Sequence, residues 1–255
     1  MSIPADENSD LSSFRNFVYG SYAETHAIYS DESAGNSHVR AQHFTRSLGR
    51  LLPADRSSRI LDFGCGNGTL LSVAQNLGYT DLTGVERAKG QLERAAICTR
   101  AKLHLGDGVA FLLGCADETF DVIIAFDVIE HLTRPEILQT CRQMARTLKP
   151  GGILLLHVPN GASPYCGDIL WGDITHEMAF TRASLRQVLE PLGFEKIEAE
   201  EDGPVPHGIK STIRFVLWKI IRAAMILRLV IETGRFRGHI LTICMFVVAR
   251  KASRD

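Results

Sequence analysis

The chain has 255 residues, 45% hydrophobic and 22% charged, which suits a globular protein able to bury a sizeable core. A formal net charge of -1 gives no general attraction for nucleic acid, and no nucleic-acid-binding motif is present. Six scattered cysteines (Cys65, Cys98, Cys115, Cys141, Cys166, Cys244) lack any C-x-x-C pair, which argues against a structural zinc site or a disulfide framework.

Residues 1–8 are polar and acidic, without the basic and apolar regions of a secretory signal, so a cytoplasmic location is expected. Residues 11–52 are broadly helical in pattern, interrupted by Ser, Gly and Asn near 31–37. A strand-loop-helix rhythm then begins. It predicts strands at 59–63, 81–86, 101–105, 120–127 and 153–158, with helices at 68–77, 88–98 and 134–148. The run FDVIIAFD at 120–127 has the continuous apolar character of a strand buried on both faces. Lys149-Pro150-Gly151-Gly152 is expected to stop the preceding helix sharply. After Pro159 a loop leads to a helix N-capped by Thr181 and running to about 192, then a strand at 194–200. A helical insertion at 211–232 and a last strand at 240–249 complete the reading. Alternating strands and helices imply an α/β protein with an open, doubly wound, mostly parallel sheet.

In such a sheet, ligands sit beyond the carboxyl ends of the strands. The first strand runs straight into Asp62-Phe63-Gly64-Cys65-Gly66-Asn67-Gly68. Glycines here let a ligand approach the backbone, but the third comes one residue earlier than in the dinucleotide fingerprint G-x-G-x-x-G. That spacing loosens the case for a pyrophosphate and a dehydrogenase, and suits a smaller, cationic nucleoside. The second strand ends in Gly84-Val85-Glu86-Arg87, where an acid can chelate ribose hydroxyls. The third ends in Gly106-Asp107-Gly108, and the fourth in Phe126-Asp127. Acids closing four strands place negative potential where a sulfonium would be favoured.

These motifs, with Phe120-Asp121-Val122-Ile123, Val128-Ile129-Glu130-His131-Leu132 and Leu148-Lys149-Pro150-Gly151-Gly152, resemble the class I S-adenosylmethionine-dependent methyltransferases over about residues 55–200 and the terminal strand. The resemblance implies a Rossmann-like, seven-stranded sheet with an antiparallel last strand in a domain spanning 53–255, and S-adenosyl-L-methionine as cofactor. It implies that Asp62, Gly64 and Gly66 approach the methionyl part, Glu86 the ribose, and Asp107 the adenine, with Cys65, Arg87, Gly106 and Gly108 also among the cofactor-binding residues. Phe126 and Asp127 complete the expected cofactor set, and no metal ligands are expected. The N-terminal segment 1–52 becomes a tail and helical lid, with Tyr29, His38 and Arg40 placed to cover the methionyl end.

A hydroxyl acceptor needs a base. Candidates are His176, with Asp173 or Glu177, and His131 as second choice; the alternative for each is that it only holds its loop. His157, inside a strand, is expected to be a buried structural histidine. The stretch Trp171 to Leu185 resembles the cap of small-molecule and sugar methyltransferases, which implies O-methylation of a sugar or lipid-linked sugar precursor. Val128-Ile129-Glu130-His131-Leu132 also resembles enzymes that methylate quinone-precursor phenols. A non-catalytic methyltransferase-like module is the third reading. In the insertion, Arg214, Lys219, Arg222 and Arg228 fall within one half of an otherwise apolar helix. Packing on its own domain or in a homodimer is the first expectation there, and peripheral contact with a membrane surface the second.

Overall fold

The computed structural model describes Phe14, residues 17–19, 44–45 and 48–253. Tyr29, His38 and Arg40 of the expected lid lie outside these residues. The strands are β1 (Arg59–Phe63), β2 (Asp81–Glu86), β3 (Lys102–Leu105), β4 (Phe120–Phe126), β5 (Leu148–Pro159), β6 (Phe194–Glu201) and β7 (Cys244–Lys251). The helices are α1 (Thr69–Asn76), α2 (Lys89–Cys98), α3 (Gly108–Gly114), α4 (Arg134–Thr147), α5 (Cys166–Leu170), α6 (Arg182–Leu189) and α7 (Ile209–Thr233). The seven strands follow the order β3-β2-β1-β4-β5-β7-β6. β7 runs antiparallel to both β5 and β6, as the family resemblance implied.

The chain divides into two compact units, Met1–Ala125 with Arg146–Gly152, and Phe126–Ala145 with Ile153–Asp255. In the first, β1 pairs in parallel with β2 and with β4, and β2 with β3. Ile60, Leu61, Leu71, Val122 and Ile123 are buried there, and their removal from water is the main force holding these strands together. Asp121 ties down the start of β4 by accepting from the Arg59 backbone N–H and from Lys149 Nζ, each at 2.8 Å.

In the second unit, β7 is held between β5 and β6 over a core that includes Leu154, Val158, Leu185, Leu189 and Met245. The expected cap of α6 is present: Thr181 Oγ1 accepts from the Ser184 N–H, and the Ser184 hydroxyl bonds back to the Thr181 N–H. α7 stops at Gly234, whose φ of 70° closes the helix in the left-handed region.

Several boundaries differ from the sequence expectation. β5 already begins at Leu148, so the Lys-Pro-Gly-Gly turn is part of the strand rather than a spacer before it. β7 starts four residues late because residues 240–243 serve other partners. The buried Asn160 amide donates to the Ile240 and Thr242 carbonyls at 2.8 Å each, and Glu201 accepts from the Leu241 N–H. α3 and α5, of 7 and 5 residues, are too short to show a helical period and were not expected.

Candidate functional site

The first unit holds the glycine loop. The N–H groups of Gly64 and Cys65 donate to the Val85 carbonyl at 2.9 and 3.0 Å, stitching the end of β1 to the end of β2. Glu86 reinforces this link, since its two carboxylate oxygens accept from the Gly66 and Ala88 N–H groups at 2.9 and 2.7 Å. Each oxygen accepts one of these bonds, and a carboxylate oxygen has capacity for a second.

Gly66 has a φ of 51°, and a Cβ built on it meets nothing within 4 Å. Gly106 at the end of β3 likewise faces open space. The protein itself does not need glycine at either place for packing, so these are positions where a ligand can come against bare backbone. Gly68 and Gly108 are different. A Cβ on Gly68 would lie 2.9 Å from the Cβ of Ala95 on α2, and one on Gly108 would lie 2.4 Å from the Phe63 ring. Gly108, expected to meet the cofactor, is therefore glycine because of its own core. The early third glycine of the loop is where α1 meets α2.

Asp62 is 1% exposed, and neither carboxylate oxygen has a hydrogen-bond partner in the protein. Burial pushes its carboxyl up to about 8, with the charge of Glu86 adding to the effect. The Cys65 side chain is buried, and burial pushes its thiol up. Asp107 N-caps α3, its Oδ1 accepting from the Ala110 N–H at 2.9 Å. The Arg87 guanidinium lies 5.8 Å from the centre of the Tyr19 ring. Asp62, the backbone at Gly66 and Gly106, Glu86 and Asp107 thus offer a cationic nucleoside acceptors and bare backbone. A buried carboxylate without a partner is the acceptor most in need of a ligand.

The second unit holds the acceptor-side candidates. Thr175 Oγ1 donates to Asp173 Oδ1 at 2.6 Å and lies 2.7 Å from His131 Nδ1. A hydroxyl has one proton, so Thr175 must accept from Nδ1–H, which leaves Nε2 as the acceptor nitrogen of a neutral His131 ring. His176 Nδ1 lies 2.9 Å from the Ile169 carbonyl, which can only accept, so the same tautomer follows there. The two rings stand edge to face, 4.6 Å apart. Asp173 therefore reaches the His131 ring through Thr175, while its backbone carbonyl accepts from the His176 N–H at 3.2 Å.

Glu130 joins these histidines. It is 1% exposed, its Oε2 has no partner, and burial followed by the charge of Asp127 pushes its carboxyl well up. Ligand atoms of Glu130, His131 and His176 lie within 4.8 Å of one another, a spacing that one divalent cation could bridge. A cleft of about 350 Å³, lined in part by Leu132, Glu177 and Met178, opens at residues adjacent to them. Sequence reasoning missed Thr175 and the buried role of Glu130. A hydroxyl two residues from an acid was a local signal for Thr175. For Glu130 no signal reveals burial before the fold.

Phe126 and Asp127 also sit in this unit, and are engaged by it. The Phe126 ring packs 5.7 Å from His157 and 5.5 Å from Phe246. Asp127 Oδ1 lies 2.5 Å from His157 Nδ1, and Asp202 Oδ2 lies 3.1 Å from His157 Nε2. Burial opposes the imidazolium, but the charge and hydrogen bond of Asp127 and those of Asp202 outweigh it and raise His157 to about 10. His157 is buried, as expected, and the two flanking carboxylates favour its protonated form. The expected row of strand-end negative charge is correspondingly weaker at Asp127.

A model of the methyltransferase domain matches residues 36–199. The chain is 34% identical over 138 residues to the 27-O-demethylrifamycin SV methyltransferase of Amycolatopsis mediterranei, covering 51% of this chain and 49% of that protein. It is 31% identical over 144 residues to the ubiquinone biosynthesis O-methyltransferase of Azorhizobium caulinodans, covering 55% of each. The chain thus spans about half the length of the curated relatives it matches. Among solved structures it is similar to a SAM-dependent methyltransferase from Archaeoglobus fulgidus, with TM-score 0.62, 18% identity, and coverage of 83% of this chain and 94% of that one. It is also similar to the phosphoethanolamine N-methyltransferase 2 of Haemonchus contortus in complex with S-adenosyl-L-methionine, with TM-score 0.58, 17% identity, and coverage of 83% and 52%. These two likenesses are of fold.

Proposed function

The chain belongs to the methyltransferase-domain family, and on that premise we propose that it transfers a methyl group from S-adenosylmethionine to a hydroxyl oxygen of a small, ring-bearing acceptor. The observation that carries the reading is the buried, unpartnered Asp62 carboxylate beside bare backbone at Gly66. A sulfonium or ammonium group compensates such a carboxylate, whereas a pyrophosphate would be repelled by it.

S-adenosylmethionine, when bound, supplies an electrophilic methyl group on a sulfonium. The chain's residues supply the rest. Asp62 and the Gly66 backbone hold the methionyl part, Glu86 with Arg87 the ribose, and Asp107 with Gly106 the adenine edge. Tyr19, which lies over Arg87, supports the reading of segment 1–52 as a lid. His131, oriented by Thr175 and Asp173, takes the acceptor's proton at Nε2. That relay favours His131 over His176, which the sequence alone put first. His176 then lines the acceptor or shares the proton.

The relatives favour the phenolic acceptor of a quinone precursor. One of them is by name an O-methyltransferase of ubiquinone biosynthesis and another a methyltransferase of 27-O-demethylrifamycin SV, and neither name mentions a sugar. Exposed Trp171 and Ile174, on the stretch read as a cap, suit an apolar ring. Calorimetry should show binding of S-adenosylmethionine and S-adenosylhomocysteine but not NAD. Turnover of a catechol-bearing acceptor should exceed that of a hexose, and His131→Asn should lower kcat at least 100-fold with cofactor binding unchanged. Cofactor binding without methylation of either acceptor would leave the non-catalytic module as the better reading. Full turnover by the variant would remove His131 as the base.

A further inference from the structure

Helix α7 has two apolar sides, and its own unit covers one of them. At 100° per residue, Ser211, Phe215, Trp218, Arg222 and Leu229 share the inner side. There Ser211 is buried, Arg222 Nε bonds the Glu201 carboxylate at 2.8 Å, and Trp218 lies against Gly203. The opposite side carries Ile209, Ile213, Val216, Ile220, Leu227 and Ile231, each more than half exposed. No charged residue falls within this outer arc of about 120°. Lys219 borders it on one edge, and Lys210, Arg214 and Arg228 border it on the other.

The sequence expectation placed Arg214, Lys219, Arg222 and Arg228 within one half of the helix, and the structure separates their roles. Arg222 turns inward to Glu201, and the others frame an apolar stripe. Packing on the helix's own unit, part of the first expectation, accounts only for the inner side. Residues 209–237 contain seven basic residues and one acidic residue, Glu232, whose carboxylate is 3.9 Å from Arg228. Just past the helix, Phe236 is 73% exposed between the exposed Arg235 and Arg237.

We propose that α7 lies flat in the interface of an anionic lipid bilayer, with the Ile209–Ile231 stripe among the acyl chains and Lys210, Arg214, Lys219 and Arg228 at the lipid phosphates. A helix that buries one side on its protein and frames the other with cations has the charge pattern of an interfacial anchor. A second copy of the chain fits less well. Antiparallel self-pairing sets Arg214 of one copy beside Arg228 of the other, and parallel pairing sets the Lys219 edge against the Arg214 edge. Both place like charges together. No described helix is long and apolar enough to cross a membrane, so the contact is with one surface. The proposal rests on the helix surface and stands independently of the acceptor.

The test is sedimentation of the full chain with vesicles of phosphatidylcholine and phosphatidylglycerol (7:3) or phosphatidylcholine alone, with light scattering for oligomeric state. Wild type should bind the anionic vesicles at least tenfold more tightly than the neutral ones, and more weakly in high salt. The pair Ile213→Glu and Ile220→Glu should lower binding at least tenfold, with helical circular dichroism and S-adenosylhomocysteine affinity retained. Arg214→Glu with Arg228→Glu, which leaves the apolar stripe intact, should do the same on anionic vesicles only. Equal binding by these variants, or no vesicle binding by wild type, would overturn the proposal. A wild-type dimer that Ile213→Glu and Ile220→Glu dissolve, without any vesicle binding, would assign the stripe to a second copy instead.

Discussion

Replacing His157 with Gln removes a buried cation clamped between two carboxylates. The imidazole is raised from 6.5 to about 10, so its stabilising contribution is complete below pH 6.5 and is lost as pH rises through 10. Taken whole, that difference corresponds to a ceiling of about 5 kcal/mol at 1.36 kcal/mol per tenfold change in proton affinity. The Asp127 and Asp202 side chains are 37% and 26% exposed, so water screens both carboxylates. About half the ceiling, roughly 2–3 kcal/mol, is the expected pH-dependent part. Urea unfolding of wild type and His157→Gln at half-unit steps from pH 6 to 10.5 measures it. The stability gap between the two proteins should narrow by about 2–3 kcal/mol across that range. Nitrogen chemical shifts of the wild-type ring at pH 8 give a second readout that needs no variant, and should report both nitrogens protonated. A gap that stays constant with pH, together with a neutral ring at pH 8, refutes the clamped-cation reading.

Two other outcomes follow from the cofactor side. Asp62 has its carboxyl raised from 3.8 to about 8, so the cofactor-free protein loses stability from this group as pH rises from about 4 through 8. Asp62→Asn should remove that loss, gaining on wild type between pH 5 and 8 in thermal melts, while its affinity for S-adenosylmethionine falls at least tenfold. Equal slopes in the two proteins would count against a buried, unpaired Asp62. Gly66→Ala places a Cβ in open space at φ 51°, so it should lower melting stability by only about 1–2 kcal/mol yet cut cofactor binding tenfold or more. Gly108→Ala drives a Cβ into the Phe63 ring, and should instead cost about 1–3 kcal/mol of stability. If Gly66→Ala bound cofactor as wild type does, the ligand would not approach at that loop.

The glycine-loop side of the chain was legible because its signals are local. The glycine spacing from Gly64 to Gly68, the run FDVIIAFD and the Thr181 cap each lie within a few residues of sequence, and each reflects a backbone or periodicity constraint that such a window contains. The same windows conveyed the alternation of strands and helices along the chain and the resemblance that implied an antiparallel β7, while the order of the strands in the sheet came from the structure. They did not distinguish Gly66, open to a ligand, from Gly108, filled by Phe63, because a glycine's neighbour is set by the tertiary packing. Nor did they show that Asp173 serves His131 through Thr175, or that Asp127 is held by His157 thirty residues away. In α7, sequence periodicity found the apolar helix and its cations. Which cation turned inward depended on Glu201, supplied by β6. Composition and short-range spacing determined the fold class and the glycine loop, since those follow from backbone geometry. Burial, proton positions and the outward face of α7 were decided by the tertiary structure, since each depends on partners that only folding brings together.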